Sequence, residues 1–331
     1  MHRYVILIAY CFGLLVGFAS FVVRFQQYTN PDVFRALDGA KMRTTLGWLI
    51  TNRPLAEVRS FLDVVYPAQE PISHGVGHLY GEEVYRRYGS KAFGLCDPLF
   101  NYGCYHGVVD MAIRIAGPNE TLVFDLKKSC DDTLADASPC IHPLGHASAI
   151  VTSYDVVKAF ELCDQMYPDT KVAFSCWNGA MMEYINRSAP NAPRTDYGNT
   201  QNPYFPCNTF PSKYESSCVS MHISYLKAIW NEDFGRVLRY CQTFDRFDTR
   251  THCVDATGSI IGQKYFTDPA QAVAVCKGAG NDFAWCAFGV NVPYLAAHKL
   301  HDARIVCDAL TLLADKELCQ IKIARVSDQL N

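Results

Sequence analysis

An all-α repeat fold is predicted for this chain, namely a right-handed solenoid of αα-hairpins behind an N-terminal transmembrane helix. Three observations lead to it. Cysteines recur in evenly spaced pairs, apolar residues recur at helical spacing around each pair, and one long segment lacks any charge. A fixed period of tens of residues marks a repeat architecture, in which each unit buries its apolar face against its neighbours.

Fourteen of the fifteen cysteines form seven pairs whose members lie 8–13 residues apart, and the second cysteines follow one another at steps of 33–42 residues. One pair per period predicts one internal disulfide per unit. Thiolate zinc sites usually have the closer CxxC-type spacing, so disulfides are expected rather than metal ligands. The predicted bridges are Cys96–Cys104, Cys130–Cys140, Cys163–Cys176, Cys207–Cys218, Cys241–Cys253, Cys276–Cys286 and Cys307–Cys319.

Each period is predicted to be a hairpin of two helices, with about eight hairpins of ~35 residues in all. In the fifth pair, a helix over 233–240 is followed by a polar connector over 242–252 and a second helix from Cys253. In the next hairpin an Asp-Pro step at 268–269 begins a helix that ends at Cys276, since proline is tolerated in a first helical turn. The paired cysteines are then neighbours across the hairpin, which makes the bridges sterically reasonable.

A hairpin without cysteines precedes the first pair, with helices predicted over 54–65 and 72–87. Residues 25–53 are predicted to form a membrane-proximal helix and connector, and 54–331 the disulfide-stapled repeat domain. The segment 186–206 contains four prolines, so it is predicted to be an irregular insert. It is either a tolerated surface loop or a flap over the solenoid.

The segment 4–23 carries no charged residue and is flanked by Arg3 and Arg24. A stretch of ~20 apolar residues is long enough to span a bilayer. We therefore expect residues 1–24 to be an uncleaved transmembrane anchor, with a signal peptide as the alternative. Because disulfides persist in oxidising compartments, the repeat domain is expected in the periplasm, at the extracellular face or in a secretory lumen. Cys11 is expected to be unpaired.

The residues from Ala92 to Gly107 (Ala-Phe-Gly-Leu-Cys, then Gly-Cys-Tyr-His-Gly) resemble the cysteine-rich Sel1-like, or tetratricopeptide-like, αα-repeat proteins. A cysteine ends the first helix, Gly-Cys opens the second, and a glycine follows three positions later, as it does at Gly179 and Gly289. The resemblance extends over 54–327 as architecture. It implies close helix contact at the glycine and binding of a partner or ligand on a concave face, although fold alone does not fix function.

Histidines recur in register with the repeats. Two residues after the second-cysteine position, three consecutive repeats carry His74, His106 and His142, and four residues later they carry His78, Asp110 and His146. Residues four apart share one face of a helix, and neighbouring helices pack at ~8–10 Å. These six residues are therefore candidate metal ligands. Further carboxylate candidates are Glu82 and Glu183.

Histidine and carboxylate ligands suit iron, zinc or manganese, and such a centre would support either metal-dependent catalysis or storage. Three alternatives stay open. The histidines are copied structural residues; the protein is a non-enzymatic interaction scaffold; or paired histidines hold haem or another cofactor. In the scaffold interpretation, aromatic residues near the histidines would contact a protein partner: Tyr80, Tyr105, Trp177 and Tyr184.

Several function classes are excluded. The net charge is -3 and no basic run is present, so no nucleic-acid partner is expected. The sequence also lacks the HExxH zinc signature, the CxxCH haem motif, a serine nucleophile elbow and the phosphate-binding loops.

Overall fold

The computed structural model describes residues 30–66, 71–97, 100, 102–134, 138–186 and 202–328. All regular elements within these ranges are helices, which confirms the predicted all-α class. The chain divides into two compact units, Met1–Met111 and Ala112–Asn331, and each is described by itself below.

Helices of the first unit begin at side-chain caps and close around an apolar core. The carboxamide of Asn30 and the carboxylate of Asp38 accept backbone N–H bonds in the first turns of the first two helices. Phe34 and Leu62 are fully buried, and Phe34 meets Phe61 edge to face. The helices are α1 (Pro31–Arg35), α2 (Gly39–Asn52), α3 (Leu55–Val65), α4 (Pro71–Tyr88), a 3₁₀ turn (Gly89–Leu95) and α5 (Gly103–Ala116), which crosses the division.

Aspartates cap the first helices of three hairpins in the second unit: Asp155, Asp233 and Asp268 each accept a bond from the backbone N–H three residues on. Such a cap is worth ~1 kcal/mol. The helices are α6 (Glu120–Thr133), α7 (Ser138–Val151), α8 (Val156–Met166), α9 (Thr170–Asn186), α10 (Ser212–Ile229), α11 (Phe234–Cys241), α12 (Phe247–Lys264), α13 (Pro269–Cys276), α14 (Phe283–Ala296), α15 (Leu300–Asp308) and α16 (Leu313–Asp328), with 3₁₀ turns at Cys207–Thr209 and Lys277–Asp282.

All seven predicted disulfides are present. Their Cα–Cα distances are 5.4–6.5 Å, within the range that a disulfide spans without backbone distortion. In the second unit each bridge ties the region before the second helix of a hairpin to that helix. Seven bridges in one chain indicate an oxidising compartment.

Glycines bring the second helices of successive hairpins into backbone contact. A Cβ atom on Gly107 would lie 2.0 Å from the carbonyl oxygen of His78. A Cβ on Gly179 would lie 1.9 Å from the carbonyl oxygen of His142, and one on Gly289 would lie 1.9 Å from that of Asp255. The prediction that these three glycines permit close helix contact is therefore confirmed.

Within the second unit the contact continues from hairpin to hairpin. α7 packs on α9, α9 on α10, α10 on α12, α12 on α14 and α14 on α16. The right-handed solenoid arrangement itself stays a prediction.

Most predicted helix positions agree with the structure to within a residue or two, but the connector over 242–252 is wrong. α12 already begins at Phe247. The polar residues of its first turns have partners on neighbouring elements: Arg250 donates to Asp282 at 3.1 Å, and fully buried Thr249 donates to Glu215 at 3.0 Å. These partners lie more than thirty residues away in the chain, so local polarity could not reveal them.

In the part of the chain that the structure describes, no helix has the length and apolar character needed to cross a membrane. The predicted span over 4–23 and Cys11 both lie outside the described residues, as does 187–201 of the predicted insert.

We expect Gly289→Ala to destabilise the second unit by about 1–3 kcal/mol, because its Cβ would overlap backbone atoms of α12 and force the helices apart. The measurement is thermal unfolding with the disulfides oxidised. Gly75→Ala is the matched control, since a Cβ there meets nothing within 4 Å and alanine is favoured in a helix by ~1 kcal/mol. Equal melting temperatures for the two variants would contradict the packing argument.

Candidate metal centre

Three histidines converge in the first unit. His74 and His78 lie one turn apart on α4, and His106 lies on α5. Reciprocal glycine contacts bring these two helices together: a Cβ on Gly81 would lie 2.0 Å from the carbonyl oxygen of Cys104, and Gly107 faces the carbonyl of His78. Close helix contact thus brings the histidine faces of α4 and α5 within side-chain reach of one another.

The imidazole rings form a compact triangle. Ring centroids lie 4.8 Å apart for His74 and His78, 5.2 Å for His74 and His106, and 5.0 Å for His78 and His106. One nitrogen from each ring lies within 4.8 Å of the others. The Nε2 atoms of His74 and His78 are 3.1 Å apart. Two nitrogens that share a tetrahedral zinc ion at its usual bond length are separated by ~3.3 Å.

Hydrogen bonds from the Nδ1 atoms of His74 and His78 determine the tautomers of the two rings, whose Nε2 atoms face each other. Nδ1 of His74 lies 3.0 Å from the carbonyl oxygen of Phe100, and Nδ1 of His78 lies 2.9 Å from Oδ2 of Asp110. Both oxygens accept hydrogen bonds, so both Nδ1 atoms carry the hydrogen. In the neutral rings each Nε2 then bears a lone pair. Two lone pairs facing each other at 3.1 Å are stabilised by a cation between them.

The carbonyl that orients His74 comes from an unusual backbone position. Phe100 has φ of 55°, in the left-handed region that a bulky residue rarely adopts. This conformation costs roughly 1–2 kcal/mol. Its side chain is buried, and its carbonyl meets the histidine. No sequence signal marks this contact, because a carbonyl oxygen belongs to every residue.

Glu82, predicted as a further carboxylate ligand, has another partner. Its Oε2 accepts from Nη2 of Arg43 at 2.8 Å and from Nε at 3.0 Å, in a largely buried ion pair between α4 and α2. Binding a metal through this oxygen would require breaking that ion pair. Asp110, in turn, contacts the Nδ1 atom of His78 and so orients a ligand. Metal-binding histidines commonly have such a carboxylate on their other nitrogen.

The second unit repeats the arrangement with His142 and His146 on α7. Their Nε2 atoms are 3.2 Å apart, and Nδ1 of His146 lies 2.9 Å from Oε2 of Glu183 on α9. The first unit thus contains one group of four predicted ligands, namely His74, His78, His106 and Asp110. His142, His146 and Glu183 form another in the second. The fourth repeat carries Met182 in register with Asp110, but the residue that contacts His146 is the next one, Glu183.

The histidines outside this register have other surroundings. His222 is fully buried, with Nε2 at 2.8 Å from the carbonyl oxygen of Pro203. His252 stacks on Phe174 with centroids 4.3 Å apart, whereas His298 and His301 are exposed. Three of the four aromatic residues considered as partner contacts are buried, namely Tyr80, Tyr105 and Trp177, so they belong to the core.

Searches of protein-family models, of curated proteins and of solved structures found no match to this chain. The resemblance to Sel1-like repeats therefore stays a prediction, and the assignment of a function depends on the histidine geometry.

Burial lowers the pKa of His222 from 6.5 to about 4, partly offset by the hydrogen bond to Pro203. The unfolded chain then binds this proton more readily than the folded one. Stability that is fully present above pH 6.5 is lost as the pH falls from 6.5 toward 4. At about pH 5 the loss should be about 2 kcal/mol.

We expect His222→Gln, which retains a donor for Pro203, to show a smaller drop in melting temperature between about pH 7.5 and 5 than the unmodified chain. His301→Gln, at an exposed histidine, should behave like the unmodified chain. An unchanged pH dependence in His222→Gln would contradict the assignment.

Proposed function

We propose that this protein binds a divalent transition-metal ion through His74, His78 and His106, outside the cytosol. The observation that carries the proposal is the pair of Nε2 atoms 3.1 Å apart, each with its Nδ1 already committed to an oxygen acceptor. His106 supplies a third imidazole, and one nitrogen from each of the three rings lies within 4.8 Å of the others. A histidine with a purely structural role needs one hydrogen-bond partner. In this group, by contrast, the imidazole rings of three histidines lie against one another.

Among iron, zinc and manganese, the ligand set favours zinc. Manganese prefers oxygen ligands, and the common non-haem iron site needs a carboxylate ligand beside two histidines. Here the carboxylate of Asp110 is engaged by Nδ1 of His78. Three imidazoles and one open position are the arrangement of catalytic zinc sites, in which the ion acts as a Lewis acid. His78 is 30% exposed, so one side of the histidine group is open to solvent.

The membrane anchor over 4–23 and the solenoid arrangement belong to the same proposal. The first is supported by twenty consecutive uncharged residues. The second is supported by the packing of successive second helices in the second unit. Together they describe a metal-binding repeat domain attached to the outer side of a membrane.

Metal content tests the proposal. The full chain, produced in an oxidising compartment and loaded with zinc, should lose one equivalent of metal by elemental mass spectrometry when His74→Ala and His78→Ala are combined. His301→Ala should retain the full content, because that histidine is exposed and outside the group. A double variant with the same metal content as the unmodified chain would refute the proposed site. Circular dichroism and an intact Cys96–Cys104 disulfide confirm folding.

Asp110→Asn should weaken zinc binding at this site about 10–100-fold while leaving the fold intact, since the amide oxygen still accepts from His78 but the negative charge is gone. Competition with a chromophoric chelator measures the change. Asp125→Asn, at an exposed carboxylate on α6, is the matched control. Equal affinity of the two variants would show that Asp110 does not tune the site.

A further inference from the structure

The histidine pair of the second unit has the same internal geometry as the first. Nε2 of His142 and Nε2 of His146 face each other at 3.2 Å, and Nδ1 of His146 donates to Oε2 of Glu183 at 2.9 Å. Because a carboxylate only accepts, Nδ1 of His146 carries the hydrogen, and Nε2 of the neutral ring holds a lone pair. That lone pair points toward the Nε2 atom of His142.

Glu183 adds an observation that the first unit lacks. This residue is 2% exposed, and its Oε1 atom is buried without a hydrogen-bond partner among the residues that the structure describes. Asp110 differs, because 31% of its side chain is exposed to water. In the described part of the chain the ion partner of Glu183 is His146. A buried carboxylate with an unsatisfied oxygen is costly unless positive charge lies nearby.

We propose that His142 and His146 form a second metal site, which binds its ion independently of the first and has Glu183 as its positioning residue. The inference extends the proposed metal-binding function to a second ion. A divalent cation bound by the Nε2 atoms brings positive charge near the buried carboxylate of Glu183, which contacts the other nitrogen of the His146 ring. This charge offsets the cost of burying the carboxylate. Two imidazoles leave several coordination positions for small oxygen ligands, so this site binds its metal more weakly than the site with three histidines.

Titration of the metal-stripped full chain with Co²⁺ alone, followed by visible absorption, counts the sites. The unmodified chain should take up two equivalents, the second at least tenfold more weakly. Combining His142→Ala with His146→Ala should remove the weaker equivalent. Combining His74→Ala with His78→Ala should remove the tighter one. Glu183→Gln should retain both equivalents and weaken the second by about 10–100-fold, with the first unchanged.

Each outcome separates this inference from the proposed function. One equivalent of Co²⁺ that is retained when His142 and His146 are replaced overturns the second site. One equivalent of Co²⁺ that is retained when His74 and His78 are replaced, and lost when His142 and His146 are replaced, refutes the proposed function and supports the second site. One equivalent of Co²⁺ that disappears from both double variants overturns independent binding at two sites. No uptake of Co²⁺ by the unmodified chain refutes both the proposed function and the second site. Intact disulfides and unchanged circular dichroism exclude misfolding as the cause of a loss.

Discussion

Backbone contact between neighbouring helices is the constraint on which the candidate sites depend. At Gly107 and Gly179 the space for a side chain is already filled by the carbonyl group of a histidine on the adjacent helix. Helices this close allow an imidazole on one to reach a carboxylate on the next at 2.9 Å, as His78 and His146 do. A larger residue at either glycine would increase the helix separation by more than a hydrogen bond tolerates.

The disulfides and the glycines constrain different parts of the fold. Each bridge closes a segment of 8–13 residues and ties the region before the second helix of a hairpin to that helix, contributing about 3 kcal/mol at most in the chain-entropy model. The glycine contacts act between hairpins, which none of these seven disulfides joins. Because the disulfides hold each hairpin together, the distance between the second helices of neighbouring hairpins is set by the residues where those helices touch. The register of the histidines is therefore tied to the register of the cysteines.

This coupling explains how much the sequence predicts. Cysteine spacing identifies the hairpins and all seven bridges, and glycine and histidine positions follow from the same register. The contacts of Phe100, Arg43 and the first turns of α12 could not be predicted, because each joins residues far apart in the chain. Glu183 is the intermediate case. The repeat predicts the helix that carries Glu183. The role of Glu183, however, depends on which side of that helix faces His146.

The later repeats show what the fold itself requires at the histidine position. There Asn178 accepts a hydrogen bond from Ser217 at 2.6 Å, Ser220 donates to a backbone carbonyl of its own helix, and Phe288 is buried against Trp285. Asp255 occupies the same position, and burial raises its pKa to about 6. Amide, hydroxyl, carboxyl and phenyl groups are thus all accommodated by one backbone geometry. Packing alone therefore does not explain why three consecutive repeats carry histidine at this position. In two of these repeats a second histidine follows one turn later.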